Sequence, residues 1–189
     1  MLNSNYVFVY GTLQKDFGNH RVMEASRGLF ICKGETKDIY PLTVDGLPYL
    51  HDMKGVGENV SGEIYKVDDL RLLDQLEGHP MFYRRSLIDI KIDSNSLRLA
   101  EWIEEEAIRR RDDTEFLSNW RGEPMLQEDL WYHFDHHLFE KDITLPESQD
   151  EVLPCWAYFI QNSSLQTLDD FEGVKMHKSF HEAREYQNQ

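Results

Sequence analysis

The sequence predicts an α+β fold, with strands towards both ends of the chain and helices between them. Three observations carry this. Tyr6–Tyr10, Y-V-F-V-Y, is a run of aromatic and β-branched residues that reads as a strand buried on both faces. Val60–Val67 and Arg85–Ile92 alternate with strand period, Val60, Gly62 and Ile64 against Ser61, Glu63 and Tyr65 in the first and Leu87, Asp89 and Lys91 against Ile88, Ile90 and Ile92 in the second. Composition shifts once, over about residues 94–151, from strand-like to helical patterning. A core-like strand, Cys155–Ile160, follows that shift, so we read residues 1–189 as a single domain with a helical insertion at about 94–151.

After the first strand, Gly11, Thr12 and Leu13 form a turn; a glycine there lets the backbone bend sharply and can turn amide hydrogens towards an anion, although it also serves any ordinary strand ending. Asn19 reads as the cap of a helix over His20–Gly28, and Leu29–Cys32 as a short strand. Tyr40–Val44 and Leu47–Leu50 flank Asp45-Gly46, a hairpin signal in which both turn residues are expected at positive φ, with prolines suited to edge strands. Within the insertion, Glu105/Arg109 and Glu106/Arg110 are spaced for an exposed helix, and Gln127–Lys141 reads as a second one. Leu168-Asp-Asp-Phe-Glu-Gly echoes Leu73-Asp-Gln-Leu-Glu-Gly; without a following Pro and Tyr-Arg-Arg, the echo reads as coincidence.

A formal net charge of −15 repels phosphate, which argues against nucleic acid and anionic membrane surfaces as partners. No apolar run approaches the roughly 20 residues that span a bilayer. The start, M-L-N-S-N-Y, lacks the basic and apolar segments of a signal peptide. Cys32 and Cys155 read as small buried thiols of a reducing compartment, and the expected location is cytosolic. His133, His136 and His137 with Asp135 have helical metal-ligand spacing, but they lack the Glu of H-E-x-x-H and a second ligand cluster, so no metal is expected. There is no phosphate-binding glycine loop and no G-x-S-x-G, and Cys32 has no His near it in sequence.

Val67–Arg85, V-D-D-L-R-L-L-D-Q-L-E-G-H-P-M-F-Y-R-R, reads as a short helix with Asp68 as its cap, ended by Gly78 and Pro80. Leu70, Leu73 and Leu76/Glu77 share one face. Glu77 therefore lies on or beside the inward face, at the negative end of the helix dipole. Partial burial and the dipole both disfavour its ionised form, as a general base working near neutral pH requires. The ordinary reading of such a residue is a solvated helix end.

Val7-Phe-Val-Tyr-Gly-Thr-Leu, taken together with Leu73-Asp-Gln-Leu-Glu-Gly-His-Pro-Met-Phe-Tyr-Arg-Arg, resembles the γ-glutamyl cyclotransferase superfamily, closest to its γ-glutamylamine cyclotransferase (AIG2-like) branch. Gly18-Asn-His-Arg-Val, Tyr40-Pro-Leu, Leu47-Pro and Gly62-Glu-Ile-Tyr follow in the same order, so the resemblance covers about Tyr6–Arg85 and resumes near Cys155–Tyr158, whereas the insertion carries no family motif. The resemblance implies a small mixed β-barrel with helices around it. It implies attack of a γ-glutamyl α-amine on its own γ-carbonyl, releasing 5-oxoproline and an amine such as lysine from γ-glutamyl-ε-lysine, with no metal or organic cofactor. The catalytic acid–base falls on Glu77 and the substrate cradle on Tyr10, Gly11, Thr12 and Leu13, with Tyr83 and Arg84 as further binding candidates. Either arginine, Arg84 or Arg85, could hold a substrate carboxylate or tie its strand to helix carboxylates; His79 reads as an exposed turn residue. A γ-glutamyl α-amino acid as substrate, and a non-catalytic module binding a protein partner through the insertion, are the alternatives.

Overall fold

The computed structural model describes residues 5–109, 147, 149–161 and 163–187. Among the described residues, seven strands and four α-helices follow in chain order: β1 (Asn5–Val9), α1 (His20–Ala25), β2 (Leu29–Thr36), β3 (Leu42–Asp45), β4 (Leu47–Leu50), β5 (Ser61–Val67), α2 (Arg71–Glu77), β6 (Tyr83–Asp93), α3 (Ser94–Arg109), β7 (Asp150–Ile160) and α4 (Phe180–Gln187). Five strands close a barrel in the order β1-β5-β2-β6-β7. All pairs are antiparallel except β7 with β1, which meet in parallel at Val7 and Trp156 and make the barrel mixed. The helices lie around it, so the expected fold class holds.

The first strand is buried on both faces because two cores flank it. Phe8 and Tyr10 point into the barrel with Ile64, Ile88, Ile90, Ile92 and Phe159, while Val7 and Val9 point outward to Leu13, Met23, Tyr65 and Leu73 under α1 and α2. The alternation in β6 is the same effect seen on one strand: Ile88, Ile90 and Ile92 are buried, while Leu87 is 56% exposed. In β2 the pairing register shifts between Phe30 and Cys32, a bulge that puts both Ile31 and Cys32 into the inner core.

Several local expectations change. β2 runs on to Thr36 and β7 starts at Asp150, both longer than the apolar runs that signal them, because the added residues pair along neighbouring strands. α1 ends at Ala25, and the Asn19 side chain does not cap it; its Nδ2 donates instead to Thr12 Oγ1 at 2.9 Å. α2 starts later than expected, with Leu70 at its cap position and no side-chain cap. Asp69, not Asp68, receives the Arg71 N–H at 2.9 Å, and Asp68 pairs with Arg27 across solvent. In the β3–β4 hairpin only Gly46 has positive φ, since Asp45 is already a paired strand residue opposite Leu47. The Leu168 echo forms a three-residue 3-10 turn with Glu172 exposed, unlike α2. The helix expected over Gln127–Lys141 and the group His133, Asp135, His136 and His137 lie outside the described residues.

Candidate active site

The site forms where β1 leaves the barrel. The chain turns at Gly11, Gln14 donates its N–H back to Gly11 O at 3.1 Å, and among the described residues no hydrogen bond uses the N–H groups of Thr12 and Leu13. Gly11, Thr12 and Leu13 line a cavity of about 140 Å³ together with Tyr10, Asn19, Pro48, Glu77, Tyr83 and Tyr158, and with an apolar rim of Leu47, Leu76 and Phe82. Gly11 is required by what lies against it: a Cβ there would stand 2.5 Å from Pro48 Cγ of the hairpin. The hairpin is held in place by the Tyr83 hydroxyl, which donates to Pro48 O at 3.0 Å. The C-terminal segment adds support, as His177 N–H donates to Leu42 O at 2.9 Å.

Glu77 is the last residue of α2, and Gly78 closes the helix at φ 61°, ψ 35°, in the left-handed region. Leu73, fully buried, fixes the helix face; Glu77, four residues on, faces the cavity, whereas Leu76 is 38% exposed. Among the described residues no hydrogen bond or ion pair reaches the Glu77 carboxyl. Burial raises its pKa from the ordinary carboxylate range to about 7. Its titratable neighbours are neutral: burial pushes the Tyr10 and Tyr83 hydroxyls well up, and the Glu77 charge adds to both shifts. A half-buried carboxyl that gains or loses a proton near neutral pH, beside open backbone amides, can carry a proton between two atoms of a bound molecule while the amides hold negative charge.

The structure thus brings Glu77, Tyr10, Gly11, Thr12, Leu13 and Tyr83 around one cavity. Arg84 is not in its lining; it pairs with Asp52 at 2.8 Å on the surface. Arg85 ties its strand to α2, with Nη1 2.6 Å from both Asp74 oxygens. His79 is half-buried, and its Nδ1 accepts the Arg85 N–H at 3.1 Å, so it is more than a turn residue. Contributors that were not singled out as site residues include Asn19, which read as a cap; Leu47 and Pro48, whose hairpin folds onto the strand end from outside the barrel; Leu76 and Phe82 of the rim; and Tyr158, which enters from the far end of the sequence. Asn19 sat in Gly18-Asn-His-Arg-Val, Leu47 and Pro48 in Leu47-Pro, and Leu76 and Phe82 in the Leu73–Arg85 motif, any of which could have drawn attention to them.

The family model "Gamma-glutamyl cyclotransferase, AIG2-like" matches residues 7–121, and the chain belongs to that family. It is 40% identical over 100 residues to a candidate gamma-glutamylcyclotransferase of Methanocaldococcus jannaschii, an alignment that covers 52% of this chain and 81% of the relative. To the gamma-glutamylaminecyclotransferase of Rattus norvegicus it is 41% identical over 95 residues, covering 46% of this chain and 64% of the relative, just under two thirds of that protein's length. The crystal structure of an AIG2-like protein from Mus musculus superposes with a TM-score of 0.55 at 23% identity, over 94% of this chain and 88% of that one, which establishes the shared fold.

Proposed function

We propose that this protein is a γ-glutamylamine cyclotransferase. The α-amine of a γ-glutamyl group attacks its own γ-carbonyl, the ring closes to 5-oxoproline, and the amine on the far side of the scissile amide departs. The observation that carries this reading is Glu77, a carboxyl with its pKa raised to about 7 by burial, in one cavity with the turn that follows β1, where the N–H groups of Thr12 and Leu13 are unused among the described residues.

The chemistry sets three demands. A free α-amino group is largely protonated at neutral pH, with a pKa of roughly 8, so a base must take one proton before attack. Glu77 in its ionised form serves as that base, then returns the proton to the leaving nitrogen; such a relay contributes about 10²- to 10⁴-fold in rate. The attacking and attacked atoms belong to one molecule, so the cavity chiefly has to fold the substrate into attack geometry. Charge must be met without an arginine or lysine, since among the described residues none lines the cavity. The Thr12 and Leu13 amides suit the substrate carboxylate or the oxyanion that forms on the γ-carbonyl. None of these steps calls for a metal or an organic cofactor.

The rim favours an amine over an α-amino acid as leaving group. Leu47, Leu76 and Phe82 offer apolar surface at the mouth and, among the described residues, no cation for a carboxylate one carbon from the scissile nitrogen, whereas the carboxylate of an ε-linked lysine lies beyond four methylenes. The similarity to the rat gamma-glutamylaminecyclotransferase supports the same choice. γ-Glutamyl-ε-lysine, with four methylenes next to its scissile nitrogen, is the substrate we put first.

The test is 5-oxoproline release from γ-glutamyl-ε-lysine, with γ-glutamyl-alanine alongside. Wild type should turn over the first and Glu77→Gln should lose about 10²- to 10⁴-fold while keeping its circular dichroism. A Glu77→Gln variant with full activity eliminates the assignment, and a preference for γ-glutamyl-alanine moves the protein to the α-amino acid class.

A further inference from the structure

We propose that Arg85, Asp74 and Tyr158 form a clamp that positions Glu77 over the amides following β1. The proposal rests on the reading of Glu77 as the proton-transferring group, and it assigns these three residues positioning roles, not chemistry. Neither Asp74 nor Arg85 lines the cavity.

The need for such a device follows from the length of α2. It has seven residues and no side-chain cap, too little helix to hold its own last turn in place. Leu73 anchors the middle of the helix by burial with Leu70 packed partly beside it, and the last turn is closed by backbone bonds at Gly78 and His79, with no apolar side chain of that turn buried to fix its rotation. Glu77 stands in that last turn.

Arg85 of β6 grips the chain on either side of it. Three residues before Glu77, both Asp74 oxygens lie 2.6 Å from Arg85 Nη1. Two residues after Glu77, the His79 ring accepts the Arg85 backbone N–H at 3.1 Å. The guanidinium is itself fixed, stacked 5.0 Å from the centre of the Trp156 ring. Its side chain and that of Asp74 are 20% and 25% exposed, so this pair is drier than the surface bridges of the molecule, which contribute little.

Tyr158 extends the clamp to the other half of the site. Its hydroxyl donates to Asp74 Oδ1 at 2.7 Å, and its backbone carbonyl accepts the Tyr10 hydroxyl at 2.6 Å. Tyr10 is the residue before Gly11. One path of hydrogen bonds therefore joins the helix that carries the acid to the strand end that carries the amides. A misplacement of about 1 Å between such groups costs on the order of 100-fold in rate, and this path fixes their separation.

The same contacts keep Glu77 dry. The groups facing its carboxyl are the Tyr10 hydroxyl, from the residue after β1, and the Tyr83 hydroxyl from β6, both neutral, with Tyr158 behind them from β7 and Asp74 on its own helix. Loosening the last turn would admit water, and the carboxyl would titrate at lower pH.

The experiment compares wild type with Asp74→Asn, Tyr158→Phe, Arg85→Lys and Arg85→Ala. It reads turnover of γ-glutamyl-ε-lysine against pH and the titration of the Glu77 side-chain carboxyl by carbon-13 NMR. Asp74→Asn should lower kcat about 10- to 100-fold with KM within about threefold, and move the acid limb of kcat/KM down by about one pH unit or more. Tyr158→Phe, which keeps the ring and the backbone carbonyl, should show the same pattern at about a tenth of the size, and Arg85→Lys should recover most of what Arg85→Ala loses. Variants that melt lower yet keep kcat and the acid limb overturn the clamp and leave a purely structural ion pair. If wild type turns over neither substrate, the proposed activity fails separately, and the NMR titration still decides: an unchanged Glu77 titration in Asp74→Asn and Tyr158→Phe overturns the clamp, a downward shift upholds it.

Discussion

The Glu77 carboxyl is half-buried, and among the described residues nothing bonds to it. Carboxyls beside an arginine are held ionised; this one has no cation in its cavity among the described residues, and burial raises its pKa to about 7. Two measurable consequences share that cause. If the ionised form is the base, kcat/KM should climb about tenfold per pH unit up to about pH 7 and level off above it. The same shift weakens the fold. With a folded pKa near 7 and an unfolded value near 4.5, the native state binds the extra proton between those limits, so stability falls as pH rises from 4.5 to 7 and stays reduced above. Glu77→Gln cannot ionise. It should melt a few degrees above wild type at pH 8, reflecting up to about 3 kcal/mol, with the gap closing towards pH 4.5. Equal melting temperatures across that range would show that Glu77 is solvated in the fold.

Two elements outside the helix decide whether the site exists. The β3–β4 hairpin belongs to no barrel strand pair, yet it supplies Leu47 and Pro48 to the cavity and takes the Tyr83 hydroxyl. Gly11 is the point where strand end and hairpin touch. Gly11→Ala places a methyl within 2.5 Å of Pro48 Cγ, so the hairpin must move outward or the turn must open. We expect a stability loss of about 1–3 kcal/mol, and an activity loss larger than that stability change explains, because the Thr12 and Leu13 amides shift with the turn. Urea denaturation and turnover on one preparation check both. The hairpin turn was legible from Asp45-Gly46, and the strand ending from Gly11; that the first packs against the second was not, because no local pattern records a contact between residues 37 positions apart. The start of α2 shows the opposite limit. Asp68 has the residue type of a cap, yet the helix starts later with no side-chain cap, Asp69 receiving the Arg71 N–H and Asp68 lying beside Arg27 on the surface.

At the scale of the whole molecule, barrel closure buries the sulfurs. Cys32 from β2 and Cys155 from β7 both belong to the inner core and are fully buried, and burial pushes the Cys32 thiol up to about 12. Neither thiolate forms at neutral pH. A thiol-specific chromogenic reagent should find close to no reactive thiols in the native protein and two after guanidinium unfolding; rapid native labelling would mean an open barrel. Reading these cysteines as buried thiols was possible from the sequence because they sit in apolar strands, but their meeting in one core depends on strand order.

Sequence alone determined where each barrel strand and the first two helices lie, though not the full lengths of β2 and β7 nor α4, together with the two-sided burial of β1, the end of α2 at Gly78, and Glu77 as the carboxyl to watch. Each is a local matter of side-chain period, backbone freedom at glycine, or a motif of adjacent residues. Only the tertiary structure decided that Asn19, Pro48 and Tyr158 join Glu77 at the end of β1, that Arg84 faces Asp52 while Arg85 holds Asp74, and that the Glu77 carboxyl is left without a counter-charge. The physical reason is that burial and charge pairing are properties of neighbours in space, and those neighbours here come from strands that closure of the barrel, not proximity along the chain, sets side by side.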